Sequence, residues 1–160
     1  MQFFFKKSLK ILIVILITIL IDQSSKISVM EYVNHDNSNM LKVTSYLNFV
    51  YVWNYGISFG FFSEYNLNYK IFVFISVLLL AFILFFLRKE NAMILGMIVG
   101  GGIGNVIDRI LRGAVFDFID FHIAGWHYPA FNVADSCVVL GLGLIIIKEM
   151  YSKKNIESNE

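Results

Sequence analysis

Apolar residues along this 160-residue chain gather in runs covering about 5–25, 67–87, 92–111 and 131–151. Each run is near the ~20 residues that a membrane-crossing helix needs. The pattern predicts an all-α membrane bundle of four transmembrane helices, forming one integral-membrane domain over 1–160. Outer loops over 26–66 and 112–130 join helix 1 to helix 2 and helix 3 to helix 4. The first loop contains TSYLNFVYVWNYGISFGFF, whose β-branched and aromatic residues predict short strands, hence a small extracytoplasmic β-sheet in that loop. Its Tyr and Trp content suits the lipid headgroup level. In helix 3, Gly96, Gly100 and Gly104 recur every fourth residue, the small-residue spacing that lets helices approach closely in lipid.

Charge gives the bundle an orientation. Lys6, Lys7 and Lys10 precede helix 1, Arg88 and Lys89 separate helices 2 and 3, and Lys148, Lys153 and Lys154 close helix 4. All lie on one side of a four-helix topology, which the positive-inside rule makes cytoplasmic, together with both termini. The first run follows lysines as a secretory signal would, yet no small-x-small cleavage site follows it, so it is expected to remain as a transmembrane helix. Composition agrees: 58% of the residues are hydrophobic and 16% aromatic, far above a soluble domain. A net charge of +1 makes nucleic acid an unsuitable partner. The lone Cys137 excludes an intrachain disulfide and reads as packing.

Ionisable and amide residues in lipid are costly, which makes each a functional candidate. They are Asp22 in DQSSK, Asn54 in NYGISFG, Asn105, Asp108 and Arg109 in GNVIDR, Asp117 and Asp120 in FDFID, and Asn132 and Asp135 in FNVAD. All map to outward helix ends or outer loops, in one leaflet, which favours a single site over a proton path through a small transporter or assembly factor. Asp22 and Lys26, spaced i,i+4, suit a helix-end ion pair or a structural role beside the site. Asn105, Asp108 and Arg109 share a helix face and suit an Asp–Arg pair with an amide hydrogen bond. Asn132 and Asp135 have capping-box spacing, and a carboxylate at a helix N-terminus is favoured as the charged form.

Two carboxyls close together in a low dielectric cannot both ionise easily, so one keeps its proton while the other acts as a base. Asp117 and Asp135 are the best candidates for such a pair, Asp135 being the more ionised member and Asp117 the more often protonated. Asp120 is expected to be solvated or capping. The pair can activate water against a peptide carbonyl and protonate the leaving nitrogen, with no metal or organic cofactor. His35, His122 and His127 lack zinc-site spacing and read as surface or interfacial residues. Ser24, Ser25 and Lys26 are too close in sequence for a Ser–Lys nucleophile on a helix.

In this order within four apolar helices, DQSSK, NYGISFG, GNVIDR, FDFID and FNVAD resemble the type II, or lipoprotein, signal peptidases over nearly the whole chain. The resemblance implies an intramembrane aspartic endopeptidase of the bacterial cell membrane, monomeric, with its site toward the outer leaflet. It would remove the signal peptide of prolipoproteins just before a diacylglyceryl-modified cysteine. By the same resemblance Asp117 and Asp135 are catalytic, and Asp22, Asn54, Gly104, Asn105, Asp108, Arg109, Asn132 and Ala134 bind substrate or support the site. It further implies prolipoproteins and membrane lipids as partners, globomycin-type inhibitors at the dyad, and a sheet and short helix of the first outer loop over the site. Ile57 stands where many relatives have alanine.

Overall fold

The computed structural model describes residues 2–35, 39–56 and 68–157. The elements run α1 (Gln2–His35), β1 (Met40–Lys42), β2 (Leu47–Asn54), α2 (Tyr69–Phe86), α3 (Ala92–Arg112), β3 (Val115–Ile123), β4 (Trp126–His127) and α4 (Val133–Glu157). Ile57 lies outside the described residues, and the described part of the first outer loop, 39–56, holds strands and not the short helix implied for that loop. Asn68 and Asn91 start α2 and α3 by accepting the N–H groups of Lys70 (3.0 Å) and Met93 (2.8 Å). Gly113, with φ 80°, ends α3 in the left-handed conformation and turns the chain into β3.

Helix α3 is the axis of the bundle, with α1, α4 and α2 all packed against it. The glycine row explains the closeness of α1. A Cβ at Gly96 would stand 2.6 Å from the Val14 Cβ, and one at Gly100 would stand 2.8 Å from the Thr18 Cβ. Around the bundle the outer faces are apolar, with Phe74, Leu78 and Phe82 of α2 and Val139 and Leu140 of α4 exposed. Among the described residues three segments are long and apolar enough to cross a membrane: Phe5–Val33, Tyr69–Phe86 and Ala92–Arg112. Such a chain is a multi-pass membrane protein. Helix α4, expected as a further span, carries Asp135 in its first turn and Lys148 and Glu149 near its end.

Two features differ from the sequence expectation. Helix α1 does not end near residue 25 but runs to His35, with Asp22 and Lys26 inside it. The sheet, in turn, is not confined to the first outer loop: its order is β1-β2-β3-β4, all antiparallel, so that half of it comes from the second. The first difference explains the second. The extra turns of α1 carry Val29 and Val33, which form a buried cluster with Phe116 and Phe118 of β3, joined by Phe49, Tyr51 and Trp53 of β2. The strands thus pack on the end of α1, and β3 connects directly to α3.

Candidate active site

Successive side chains of a strand point to opposite faces. Phe116 and Phe118 turn toward α1, and Asp117, between them, turns the other way. Asp120, three residues from Asp117, returns to the phenylalanine face. Both carboxylates of FDFID are buried, but in different places.

Asp117 accepts hydrogen bonds on both oxygens, Oδ2 from Asn54 Nδ2 at 3.0 Å and Oδ1 from Asn132 Nδ2 at 2.7 Å. Asn54 faces it across the β2–β3 ladder, where Val52 pairs with Asp117 and Asn54 with Val115. Asn54 is itself braced, its Oδ1 accepting from the Gly56 N–H at 3.0 Å. The Asp117 carboxyl is pushed up from 3.8 to about 7, first by burial and second by the nearby Asp135 charge. The two amide donors and Lys26 pull in the opposite direction without prevailing.

Asp135 enters from the head of α4 in a reciprocal cap. Asn132 Oδ1 accepts the Asp135 N–H at 2.9 Å, and Asp135 Oδ2 accepts the Asn132 N–H at 3.3 Å. This is the capping box that the FNVAD spacing suggests. The other Asp135 oxygen accepts from Asn105 Nδ2 at 2.8 Å. Asn132 Nδ2 also donates to Asn105 Oδ1 at 3.1 Å, so two asparagine amides join the two carboxyls.

Beneath them lies a buried charge cluster. Lys26, fully buried, donates to Asp22 Oδ2 (2.9 Å), Asp108 Oδ2 (2.7 Å) and Asn105 Oδ1 (3.2 Å). Asp22 Oδ1 accepts the Ala134 N–H at 2.9 Å, satisfying a donor that the start of α4 would otherwise leave open. Gly104 makes room for this contact, since a Cβ there would lie 2.7 Å from Asp22 Oδ2. The expected Asp108–Arg109 pair does not form. Asp108 pairs with Arg112, one turn on, and with Lys26 of α1. Arg109 reaches away to the Gly56 carbonyl at 2.8 Å, tying α3 to the loop after β2. Adjacent helical residues diverge by about 100°, so the Asp108 side chain faces α1 while that of Arg109 faces the loop after β2 and Phe72 of α2.

The Asp22–Lys26 pair that the i,i+4 spacing suggests does form, within α1 rather than at its end, while Gln23 and Arg112 join the cluster without having stood out in the sequence. Gln23 donates to Asp108 Oδ1 at 3.1 Å and accepts from Arg112 at 3.1 Å. For Arg112 the signal lies in its i,i+4 spacing from Asp108 on an apolar helix.

Asp120 is neither solvated nor a helix cap. It accepts from Asn48 Nδ2 at 2.9 Å and pairs with His127 Nδ1 at 2.9 Å. Burial opposes its charge, but the hydrogen bonds from His127 and Asn48 hold its carboxyl below the usual 3.8. His122 stacks on His127 across the β3–β4 hairpin at 5.1 Å. Among the described residues, no group of three or more His, Cys, Asp or Glu is placed to hold a metal ion.

The chain is thus a helical bundle with apolar outer faces, in which Asp117 and the half-buried Asp135 are joined by asparagine amides beside a small sheet. Two solved bacterial membrane enzymes share this fold. One superposes with a TM-score of 0.74 at 28% identity, covering 91% of this chain and 90% of the other. The second gives 0.68 at 26% identity, covering 86% and 90%. The family model for signal peptidase (SPase) II matches residues 14–151. The lipoprotein signal peptidase of Rickettsia bellii (strain OSU 85-389) is 41% identical, over 90% of this chain and 76% of its own length. That of Rickettsia typhi (strain ATCC VR-144 / Wilmington) is 40% identical, over 98% and 80%. The chain belongs to the signal peptidase II family, a family of proteases.

Proposed function

We propose that this chain is an intramembrane aspartic endopeptidase that cuts the signal peptide from diacylglyceryl-modified bacterial prolipoproteins, just before the lipidated cysteine. The observation that carries the mechanism is the joining of Asp117 and Asp135 through Asn132, which donates to Asp117 Oδ1 at 2.7 Å and closes the capping box with Asp135. With its carboxyl pushed up to about 7, Asp117 holds a proton near neutral pH. Asp135, at a helix N-terminus, is the ionised partner. It takes a proton from water as that water attacks the scissile carbonyl, while Asp117 gives its proton to the carbonyl oxygen; as the resulting gem-diol collapses, Asp135 passes its proton to the leaving nitrogen and Asp117 recovers one from a hydroxyl, which restores the dyad. Neither step requires a metal or organic cofactor. Asp22, Gly104 and Ala134 fix the head of α4, Asp108 accepts the Phe116 N–H and so ties α3 to β3, Asn54, Asn105 and Asn132 aim the carboxyls, and Arg109 holds the loop after β2.

The setting suits a substrate that never leaves the bilayer. We assign α4 as a fourth crossing and place both termini in the cytoplasm of a bacterial inner membrane, with the dyad toward the outer leaflet. Cationic ends gather far from the dyad: Lys7 donates to the Arg88 carbonyl at 2.8 Å, and Lys148 pairs with Glu90 at 2.7 Å. Such clustering fits the positive-inside rule. The expected state is a monomer among membrane lipids. A structure with a globomycin-type inhibitor tests the site. One polar inhibitor atom is expected within about 2.6–3.2 Å of both Asp117 and Asp135. An inhibitor held elsewhere, or touching one carboxyl alone, contradicts the reading.

A further inference from the structure

Lysine is an uncommon residue to bury completely, and Lys26 is fully buried between α1 and α3. Its ammonium carries three donors and no acceptor. Each donor meets one acceptor: Asp22 Oδ2, Asp108 Oδ2 and Asn105 Oδ1. The two carboxylates balance its charge together with Arg112, so charge alone leaves the third contact unexplained. That third contact has a directional consequence. An amide offers an oxygen on one side and an NH2 on the other, and a side chain that only donates must face the oxygen. The Asn105 NH2 is therefore turned to the opposite side, where it donates to Asp135 Oδ1 at 2.8 Å. Asn132 adds to the same polarity by donating to Asn105 Oδ1 at 3.1 Å, while its own oxygen is committed to the Asp135 N–H.

We propose that Lys26 is a positioning residue of the peptidase reaction: by donating to the Asn105 oxygen it sets the direction of that amide and keeps an N–H on the base, Asp135. Without it the Asn105 oxygen keeps Asn132 as its one donor, and the amide is less firmly held against a flip that would set its oxygen against the Asp135 carboxylate, two acceptors face to face. This inference rests on the dyad reading for its kinetic arm and on the observed contacts for its spectroscopic arm.

The test separates direction from charge. Lys26→Met alone leaves an excess of buried anion and risks misfolding. Lys26→Met/Asp108→Asn removes one cation and one anion, and Asp108→Asn alone serves as its reference. In detergent-solubilised full-length protein labelled with 15N-asparagine, the Asn105 side-chain NH2 signals are assigned by their loss in Asn105→Ser. One proton of that pair is expected to be protected from exchange in the wild type and in Asp108→Asn, and to lose protection by at least about tenfold in the double variant. Cleavage of a diacylglyceryl-modified precursor is followed in parallel. The double variant is expected to lose about 100-fold in kcat relative to Asp108→Asn, with KM changed less than about threefold, as for a group acting only on the transition state. Unchanged Asn105 protection in the double variant, or kcat restored to that of Asp108→Asn, overturns the proposal. A wild type that cleaves no precursor counts against the peptidase reading, and the Asn105 signals still decide the role of Lys26.

Discussion

Asp117 and Asp120 stand three residues apart in one strand and experience opposite environments. Asp117 meets amide donors and another carboxyl, and its proton is held up to about 7. Asp120 meets Asn48 and His127 and stays charged. The sequence shows that FDFID holds carboxylates among aromatics, but it does not show which face each takes until the segment is known to be a strand. Apolar residues fill both faces of β3 and hide the two-residue period. Two outcomes follow at this scale. Between 3.8 and about 7, folded Asp117 keeps a proton that the unfolded chain sheds, so its contribution to stability falls as pH rises across that window. Asp117→Asn, neutral throughout, is expected to be inactive yet to unfold at a higher temperature than wild type above pH 7, the gain vanishing near pH 4, as thermal unfolding in detergent will show. Asp120→Ala should instead cost about 1–3 kcal/mol by stranding the buried Asn48 amide, with cleavage by the folded fraction largely kept. Denaturant titration beside a cleavage assay distinguishes the two acids.

At the scale of elements, what the sequence discloses depends on whether a signal is local. The glycine row of α3 and the capping box of FNVAD involve neighbouring residues, and both are visible before any fold is known. The length of α1 is hidden because Asp22, Gln23 and Lys26 look like the end of an apolar run. They continue the helix because each polar group finds a partner on α3 or α4, which removes the reason to leave lipid. The pairing of Asp108 with Lys26 is non-local for the same reason, and the choice of Arg112 over Arg109 follows from helix geometry once α1 is placed. Gly104 is where these elements meet. Gly104→Ala would drive a Cβ to 2.7 Å from Asp22 Oδ2 and push Asp22 from the Ala134 N–H. It is expected to destabilise the protein by about 1–3 kcal/mol. Activity should fall by more than about tenfold, read in a cleavage assay with thermal unfolding as control, because α4 carries Asp135 at its head.

For the whole molecule, two requirements that usually conflict are met in one small chain. A lipid-anchored substrate needs a site within reach of the bilayer, and peptide hydrolysis needs polar groups and a water. The bundle meets the first with apolar outer faces. It meets the second by gathering its aspartates at one end, where α1, α3, α4 and the sheet satisfy one another's polar atoms. The central claim is that Asp117 and Asp135 act as one unit in cleavage. The most direct test is hydrolysis of a purified diacylglyceryl-modified precursor by wild type, Asp117→Asn, Asp135→Asn and the double variant, all shown to be folded. The account predicts cleavage before the lipidated cysteine by wild type, and a loss of at least about 1,000-fold in each single variant with no further loss in the double, as expected for residues acting together. Comparable cleavage by wild type and either single variant would contradict it.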